Sequence, residues 1–459
     1  MAEKNKYFGT DGFRGEANVE LTAEHAYRIG RFLGYRSLGG GGERIRIVIG
    51  KDTRLSCYML EYAIAAGITA SGADAYMLHV TTTPSVSYVT RAEGFDWGIM
   101  ISASHNPYYD NGIKIIDRNG EKLNDETAAL IEAYIDRDFK ALGLNGDIPL
   151  AERDGMGRII DYVAGRNRYV GYLISLASHS FKDLKIGLDL ANGASWMIAR
   201  SVFEALGAQT YVIGNEPNGI NINFGCGSTH ISALCDLVRS NHLDVGFAFD
   251  GDADRCIAVD ENGDEVNGDH MLYILAQRLI ARDSLEKNSV VTTVMSNSGL
   301  TRALEDDGIR CIQTAVGDRF VYEEMQKNGY SLGGEQSGHI IMKKYATTGD
   351  GILTAIMIAE EMLDRRSSLS ALARPVVMLP QVSVSVRVKD KSGVTSDPEI
   401  QRLIAQIGDE IGKNGRILLR KSGTEPVIRV MAEYEGEAKC RHFANRVVKM
   451  IEERGWSNE

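Results

Sequence analysis

The chain has 459 residues, 44% hydrophobic and 25% charged, which is the composition of an ordinary globular protein. Its net charge of −11 argues against nucleic acid as a partner, because a phosphate backbone attracts clustered Lys and Arg. The N-terminal residues show no apolar leader and no run reaches the length of a membrane span, so no membrane partner is expected. The six cysteines form no C-x-x-C pair, which favours reduced thiols and a cytoplasmic location.

Through roughly the first 370 residues, short apolar runs alternate with helical periodicity, which predicts βαβ units and mostly parallel, buried sheets. The strongest predicted strands are residues 46–49, 97–101, 184–188, 245–249 and 290–294. A helix is predicted over residues 125–142, capped by Asn124 or Asp125 and stopped by Gly143. In such sheets functional residues lie on loops at the carboxyl ends of the strands.

The last 85 or so residues differ, because valines alternate with polar residues over 382–388 as in a half-exposed strand. A helix (398–411), two strands (416–420 and 427–434) and a final helix (437–453) follow, which predicts a small α+β domain. Changes in composition near residues 143–158, 255 and 365–375 suggest boundaries. The predicted domains are residues 1–155, 156–255, 256–372 and 373–459.

Two loops near the N-terminus carry side chains that can bind or transfer a charged group. Residues 8–15 read FGTDGFRG, in which Arg14 offers a planar donor fork suited to phosphate. Residues 102–114 read SASHNPYYDNGIK and place Ser104 beside His105, ten residues before Lys114. Ordinary turns are the simpler alternative for both loops. A Ser-His-Asp hydrolase is disfavoured, because no serine lies in a G-x-S-x-G elbow.

The segment DGDADR puts three carboxylates at alternate positions, Asp250, Asp252 and Asp254. Because such close like charges repel one another, a cation should offset them, and an oxygen-only ligand set suits Mg²⁺ or Ca²⁺. A calcium EF-hand is disfavoured, since Arg255 stands where that loop requires glycine and both flanks look like strands. A solvated acidic turn is the remaining alternative.

Two later loops favour recognition of a sugar and a phosphate. In residues 333–339 (GGEQSGH), Glu335 and Ser337 lie two apart, so an extended loop would point both toward adjacent sugar hydroxyls. A polar hairpin turn fits that segment equally well. Residues 420–426 (RKSGTEP) combine the fork of Arg420 with two hydroxyls and a glycine, which indicates a phosphate cradle.

With these loops in hand, the chain resembles the α-D-phosphohexomutase superfamily and, within it, most closely the bacterial phosphoglucosamine mutases. The motifs FGTDG-x-RG, SASHNP-x-YDNGIK, VGDR, GGEQSGH and R-x-SGTEP occur in the family's order across essentially the whole chain. Phe13, Ala253 and Lys421 depart from the residues usual in that subfamily, and none of these changes removes a functional group. The resemblance implies three mixed-sheet α/β domains and a smaller C-terminal α+β domain around a central active-site groove.

The resemblance also implies a role for each group. Ser104 is expected to carry a phosphoryl group, Lys114 and His105 to handle protons, and Arg14 and Arg255 to steady the phosphoserine. The ligands expected to hold Mg²⁺ are Ser104, Asp250, Asp252 and Asp254. The residues expected to bind the substrate are Glu335, Ser337, Arg420, Ser422, Gly423, Thr424 and Arg429.

The expected function is that of a phosphohexomutase interconverting glucosamine 6-phosphate and glucosamine 1-phosphate, through a phosphoserine enzyme and a 1,6-bisphosphate. This reaction would feed the synthesis of UDP-N-acetylglucosamine. One alternative is a phosphoglucomutase or phosphomannomutase acting on neutral hexose phosphates. Another is a regulatory protein that binds metal and sugar phosphate without turnover, for which a phosphorylatable serine has no use. The expected partner is a small sugar phosphate, and a homodimer is compatible with the sequence.

Overall fold

The computed structural model describes residues 6–9, 11–36, 44–421 and 426–457. The chain forms two compact units: Met1–Met295 with Ile309–Arg374, and Ser296–Gly308 with Pro375–Glu459. The first unit contains three mixed sheets with helices, and the second contains a small antiparallel sheet with helices. The predicted fold class, α/β with a smaller C-terminal α+β part, is confirmed. The predicted domain limits stay predictions.

The first sheet has seven strands in the order β1-β2-β6-β5-β3-β4-β7. These strands are β1 (Phe8–Gly9), β2 (Gly12–Glu16), β3 (Arg46–Lys51), β4 (Asp74–Val80), β5 (Trp97–Ile101), β6 (Asp110–Asp117) and β7 (Ile159–Asp161). The helices of this region are α1 (Ala23–Tyr35), α2 (Cys57–Ala70), α3 (Thr83–Ala92), α4 (Asp125–Ile135) and α5 (Val163–Ser175). Ile47 and Ile49 of β3 pack into one core, and Val48 between them packs into a second. Both faces of this sheet are therefore buried, which explains why its central strands are apolar throughout.

The second sheet has five strands in the order β12-β11-β10-β8-β9. Its elements are β8 (Lys185–Asp189), α6 (Ile198–Ala205), β9 (Gln209–Ile213), α7 (Ser232–Asn241), β10 (Val245–Phe249), β11 (Cys256–Val259) and β12 (Glu265–Val266). The third sheet has four strands in the order β14-β13-β15-β16. The elements of this part of the chain are α8 (Gly268–Ile280), β13 (Ser289–Thr293), α9 (Ser298–Asp306), β14 (Arg310–Thr314), α10 (Asp318–Asn328), β15 (Leu332–Gly334), β16 (Ile340–Met342), α11 (Gly351–Arg365) and α12 (Leu369–Ala373). Of these, α9 belongs to the second compact unit.

The second unit is built on a three-stranded antiparallel sheet in the order β17-β19-β18. Its remaining elements are β17 (Gln381–Arg387), α13 (Lys391–Ser396), α14 (Pro398–Ile411), β18 (Arg416–Lys421), β19 (Val427–Glu433) and α15 (Glu437–Glu453). Val382 and Val386 of β17 are buried while Ser383 and Ser385 are exposed, so the predicted alternation is confirmed. Across the described residues, no helix has the length and apolar character needed to cross a bilayer.

The predicted elements match the structure with two corrections. The five predicted strands of the first unit are present within two residues, and the helices predicted at 398–411 and 437–453 have those limits. The helix predicted over residues 125–142 ends at Ile135, because Arg137 adopts a left-handed backbone with φ of 62°. Phe139 and Leu142, which prolonged the helical pattern, still pack against the core from the turns that follow.

The second correction concerns the sheets, which were predicted to be mostly parallel. In each sheet of the first unit the parallel strands occupy one side, out to the edge strands β7, β9 and β14, and antiparallel pairs, among them β1–β2, β5–β6, β10–β11 and β15–β16, occupy the other side. The β18–β19 pair of the second unit is also antiparallel. The five loops at residues 8–15, 102–114, 250–255, 333–339 and 420–426 each join the two strands of one of these pairs. The chemistry-bearing loops are therefore hairpin connections, four of them within the first unit.

Candidate active site

Ser104 lies in the hairpin loop between β5 and β6 and is almost completely buried, with 1% of its surface exposed. Its backbone has a φ of 53°, in the left-handed region that residues other than glycine seldom adopt. The hydroxyl Oγ donates a hydrogen bond to Asp250 Oδ2 at 2.5 Å and lies 3.3 Å from His105 Nδ1. The sequence pattern and the structure therefore agree in bringing Ser104 against the acidic loop.

The acidic loop between β10 and β11 presents three buried carboxylates, Asp250, Asp252 and Asp254. One oxygen from each can be chosen so that all three lie within 4.8 Å of one another. Burial, followed by the charges of Asp254 and Asp252, raises the pKa of Asp250 well above its ordinary value. Oδ1 of Asp252 and Oδ1 of Asp254 are buried and accept no hydrogen bond from any described residue. Three buried carboxylates this close together, two of them with an oxygen that accepts no hydrogen bond, fit a hard divalent cation.

Lys114 of β6 supplies the cation that now faces this loop. Its Nζ lies 2.7 Å from Asp252 Oδ2, 3.1 Å from Asp254 Oδ2 and 3.3 Å from Asp11 Oδ2. Burial alone would lower the pKa of Lys114, but Asp11, Asp252 and Asp254 hold it well above the ordinary value. Lys114 is therefore a charged ammonium group at neutral pH.

A second layer of ionic contacts, formed by Asp11, Lys122, Asp318 and His339, supports Lys114. No functional role was predicted for any of these four residues from the sequence. Lys122 Nζ lies 2.5 Å from Asp11 Oδ1 and also contacts Asp318. Asp318 Oδ2 is 3.2 Å from His339 Nε2, and His339 Nδ1 is 3.6 Å from Asp254 Oδ1. Three of these residues stood inside the motifs FGTDG, VGDR and GGEQSGH, so the motifs were the available signal. Lys122 lies outside every motif and had no signal.

His105 is a neutral imidazole in this environment. Burial, followed by the charges of Arg255 and Arg14, lowers the pKa of His105 to about 4. Its Nδ1 is 3.2 Å from Arg255 Nη1, so the guanidinium donates to the unprotonated ring nitrogen. Nε of Arg14 and Nε of Arg255 are buried and donate to no described residue. Two arginines with unused buried donors beside the serine form a site suited to a phosphate dianion.

Glu335 follows β15 in the first unit, and its carboxylate Oε1 accepts a hydrogen bond from the Gly317 amide at 3.2 Å. Burial, followed by the charge of Asp318, raises the pKa of Glu335. Residues 335–338 form a tight turn, in which the Gly338 amide donates a hydrogen bond to the Glu335 carbonyl at 3.0 Å. The expectation of an extended loop is therefore wrong, because the segment is a hairpin turn, and the role of Glu335 and Ser337 in sugar binding stays a prediction. Ser337 is exposed at the tip of the turn.

In the second unit, Arg420 of β18 stands directly opposite Arg429 of β19 in the antiparallel register. Side chains opposed in this way lie on the same face of the sheet. Two guanidinium groups on one face concentrate positive charge next to the predicted phosphate cradle. Ser422, Gly423 and Thr424, the other predicted members of that cradle, lie outside the described residues.

A different group of side chains in the first unit could also hold a metal by distance alone: His179, Glu360 and Asp364. These carboxylates are already neutralised. Arg278 contacts Glu360 at 3.3 Å and Asp364 at 2.6 Å, and Arg282 contacts Asp364 at 2.5 Å. The aspartate loop, with its unsatisfied oxygens, is the better candidate for a metal centre.

Comparison with known families agrees with this arrangement. Profiles of the phosphoglucomutase/phosphomannomutase family match the chain in four successive parts. Domain I matches residues 5–141, domain II 167–263, domain III 267–377, and the C-terminal domain 384–450. The chain belongs to the phosphoglucomutase/phosphomannomutase family.

Among curated relatives within this family, the phosphoglucosamine mutase of Lachnospira eligens is 56% identical over 453 residues, covering 98% of this chain and 99% of the relative. The phosphoglucosamine mutase of Anoxybacillus flavithermus is 48% identical over 449 residues, with 98% and 99% covered.

Solved structures of the phosphoglucomutase/phosphomannomutase type share the fold. A family protein from Burkholderia thailandensis superposes with a TM-score of 0.80 at 24% identity, with 98% of each chain covered. The Aspergillus fumigatus N-acetylphosphoglucosamine mutase, solved with GlcNAc-6P and magnesium, gives a TM-score of 0.69 at 17% identity. That alignment covers 98% of this chain and 96% of the fungal one.

Proposed function

We propose that this protein is a phosphohexomutase that interconverts glucosamine 6-phosphate and glucosamine 1-phosphate. The observation that carries the proposal is the buried Ser104 hydroxyl, held 2.5 Å from Asp250 Oδ2 at a loop of three carboxylates. The identity of 46–56% to enzymes named phosphoglucosamine mutase supports the choice of amino sugar. A protein that only bound sugar phosphates would need no serine in this position.

The reaction is two phosphoryl transfers of opposite direction. In the first, the bond between Ser104 Oγ and phosphorus breaks, and a bond forms between phosphorus and the free hydroxyl oxygen of the substrate. The substrate hydroxyl loses its proton and Ser104 Oγ gains one, so a 1,6-bisphosphate and a free serine result. In the second transfer the other phosphate of the bisphosphate returns to Ser104, which restores the phosphoserine and releases the isomeric monophosphate.

The described side chains offer two groups for these proton movements. His105 Nδ1 lies 3.3 Å from Ser104 Oγ, and Lys114 Nζ lies 2.7 Å from Asp252 Oδ2 in the aspartate loop, so both groups are placed to take part in these proton transfers. Arg14 and Arg255, with buried donors to spare, are proposed to bind the phosphoryl group on Ser104. Phosphoserine adds a charge of about −1.5 to −2 beside three carboxylates, which makes these cations necessary.

We further propose that Asp250, Asp252, Asp254 and the phosphorylated Ser104 hold Mg²⁺. The unsatisfied oxygens of Asp252 and Asp254 support this assignment. When bound, Mg²⁺ would offset the negative charge that builds on the transferred group. Its compact oxygen coordination suits three carboxylates packed this closely.

Glu335 and Ser337 are proposed to bind the sugar hydroxyls or amino group. Arg420, Ser422, Gly423, Thr424 and Arg429 are proposed to hold the phosphate that is not being transferred. The opposition of Arg420 and Arg429 across β18 and β19 supports an anion site on that face.

The test is a substrate panel under identical conditions with glucosamine 6-phosphate, glucose 6-phosphate and mannose 6-phosphate. The proposal expects the highest kcat/KM for glucosamine 6-phosphate. An equal or higher value for either neutral sugar would make the protein a phosphoglucomutase or phosphomannomutase. Absence of turnover on all three would reject a phosphohexomutase altogether.

A further inference from the structure

Arg54 is a buried arginine outside every motif considered above, and it lies directly beneath the Ser104 loop. Only 1% of its surface is exposed. It precedes α2 and follows the carboxyl end of β3, the strand next to β5 in the sheet. None of the roles assigned above to the phosphoryl group, the metal or the sugar involves it.

The guanidinium of Arg54 uses all five of its N–H groups. Nη2 donates to the carbonyls of Ser104 and Asn106, both at 2.8 Å. Nη1 donates to the carbonyl of Asp110 at 3.2 Å and also to that of Pro107. Four carbonyls within seven consecutive residues therefore face one side chain. A guanidinium is the only side chain with enough donors for this arrangement.

The fifth donor and the charge of Arg54 are taken up by Asp52. Nε donates to Asp52 Oδ2 at 2.9 Å, and the Arg54 amide donates to Asp52 Oδ1 at 2.9 Å. Both side chains are fully buried, so this is a fixed pair and not a mobile surface contact. Neutralised in this way, Arg54 acts on the loop through geometry and not as a free charge near the phosphate site.

Asn223 holds the same loop from the neighbouring sheet. Its Nδ2 donates to the carbonyl of Ser104 at 2.9 Å and to that of Asn106 at 3.1 Å. The Ser104 carbonyl thus accepts hydrogen bonds from both Arg54 and Asn223. Gly251 of the acidic loop packs on this carbonyl so closely that an added Cβ would lie 2.5 Å from the oxygen. The carbonyl is fixed from three sides.

Fixing this carbonyl matters because Ser104 adopts a left-handed backbone, which costs free energy unless the surroundings impose it. Rotation of the residue to an ordinary backbone would swing Oγ away from Asp250.

We infer that Arg54 is a positioning residue for phosphoryl transfer. It holds the loop so that Ser104 keeps the backbone conformation that delivers Oγ to the aspartate loop, and Asn223 assists. The inference rests on the proposed phosphohexomutase function, because it assigns Arg54 to the chemical step at Ser104. It predicts that weakening this hold slows transfer far more than it weakens binding of the sugar phosphate.

The matched control is Arg31, a second buried arginine that binds carbonyls away from the site. It lies in α1, is 3% exposed, and donates to the Ala70 carbonyl at 3.0 Å and to Ser71 Oγ at 2.9 Å. Arg31→Lys and Arg54→Lys each replace a planar guanidinium, which can bind several carbonyls, with an ammonium group of the same charge. Both should lower the melting temperature, so stability alone does not separate them.

The experiment compares wild type, Arg54→Lys, Arg31→Lys and Asn223→Ala by steady-state kinetics with glucosamine 6-phosphate. It also follows single-turnover transfer from enzyme first phosphorylated with glucosamine 1,6-bisphosphate. A displacement of Oγ by about 1 Å costs on the order of 100-fold in rate. We expect kcat and single-turnover transfer to fall by about 100-fold in Arg54→Lys, with KM within about 3-fold of wild type. Asn223→Ala should lose about 10-fold, because it removes two of the six hydrogen bonds that Arg54 and Asn223 donate to the carbonyls of the loop.

A kcat of Arg54→Lys within about 3-fold of the kcat of Arg31→Lys would overturn the inference, whether both variants are active or both are impaired. If Arg54→Lys does not fold, Asn223→Ala decides the matter, and a wild-type kcat in that variant overturns the inference. A wild-type protein that converts no hexose phosphate would overturn the proposed function and this role with it. Conversion by the wild type with no selective loss in Arg54→Lys overturns the role alone.

Discussion

Ser104 Oγ donates a hydrogen bond of 2.5 Å to Asp250 Oδ2, although the two residues are separated by 146 positions in the chain. The contact joins a hairpin loop of the first sheet to a hairpin loop of the second. It places a nucleophilic hydroxyl at the edge of a group of carboxylates that has two unsatisfied oxygens. The chemical account of this protein depends on this juxtaposition.

Removal of divalent cations should abolish turnover. Excess chelator leaves the aspartate loop and phosphoserine without their counter-ion, and Mg²⁺ should restore full activity. Ca²⁺ should restore little, because its larger and looser coordination misplaces the transferred group. Initial rates in chelator, Mg²⁺ and Ca²⁺ make the comparison. Full activity in excess chelator would eliminate the metal from the mechanism.

Lys114→Met should destabilise the protein when no metal is present. The substitution leaves Asp11, Asp252 and Asp254 facing one another without the ammonium group, at a cost of about 3–5 kcal/mol. Added Mg²⁺ should recover part of the loss, because it supplies a cation at the same carboxylates. Melting temperatures in chelator and in Mg²⁺ test this.

Lys6→Met is the matched control for Lys114→Met, since Lys6 pairs with Asp136 at the exposed surface. Because solvent screens this exposed ion pair, the substitution should change the melting temperature little, and equally in chelator and in Mg²⁺. Equal responses of the two variants would show that Lys114 does not balance the metal loop.

The sequence located most of the site, because motifs carry local information. Ser104, Lys114 and the three aspartates each lie within a few residues of a glycine or proline turn that marks a loop. The second layer of ionic contacts around Lys114 was not predicted, because its ion pairs join segments that are distant in the chain. Lys122 contacts Asp318 across 196 positions, and no local pattern announces such a pair.

The helix that was extended too far shows another physical limit. Apolar residues continued at helical spacing through Phe139 and Leu142, and both residues are partly buried against the core, as the pattern indicated. The chain nevertheless leaves the helix at Arg137, where one left-handed residue redirects it. Periodicity reports which residues are buried and does not specify the backbone path between them.

Arg420→Ala should weaken the grip on the phosphate that is not being transferred. Loss of a bidentate, charge-assisted contact costs on the order of 2–4 kcal/mol, which corresponds to about 30- to 1000-fold in rate. The same face should serve both orientations of the sugar, so the two directions of the reaction should slow alike. Single-turnover transfer measured in each direction tests this expectation.

Arg402→Ala is the control for Arg420→Ala, because Arg402 lies in the same unit and pairs with Glu399, three residues earlier in the same helix, at 2.8 Å. It should leave both directions unchanged. A defect of Arg420→Ala confined to one direction would mean that separate groups hold the phosphate in the two half-reactions.

Asp350 should make the stability of the first unit depend on pH. Its carboxylate caps α11 by accepting a hydrogen bond from the Leu353 amide, and it accepts a second hydrogen bond from the Tyr169 hydroxyl at 2.8 Å. Burial raises the pKa of Asp350 to about 6, above its unfolded value of about 3.8. A raised pKa means that the folded state holds the proton more tightly. This contribution is therefore complete below about pH 4 and is lost as the pH rises through about 6.

Asp350→Asn removes this titration while keeping an oxygen to cap the helix. The stability of wild type relative to the variant should fall by about 3 kcal/mol between pH 4 and pH 8. Denaturant unfolding of both proteins across that range measures the difference. A difference that stays constant with pH would show that Asp350 does not titrate in this interval.

The most direct measurement of the central claim is the location and turnover of the phosphoryl group. Enzyme incubated with glucosamine 1,6-bisphosphate is digested, and its peptides are mapped by mass spectrometry before and after addition of glucosamine 6-phosphate. The account predicts phosphate on Ser104, transferred to the sugar within one turnover, and its absence from Ser104→Ala together with activity. Phosphate on Ser102 alone, or a Ser104→Ala variant that still interconverts the two sugar phosphates, would contradict it.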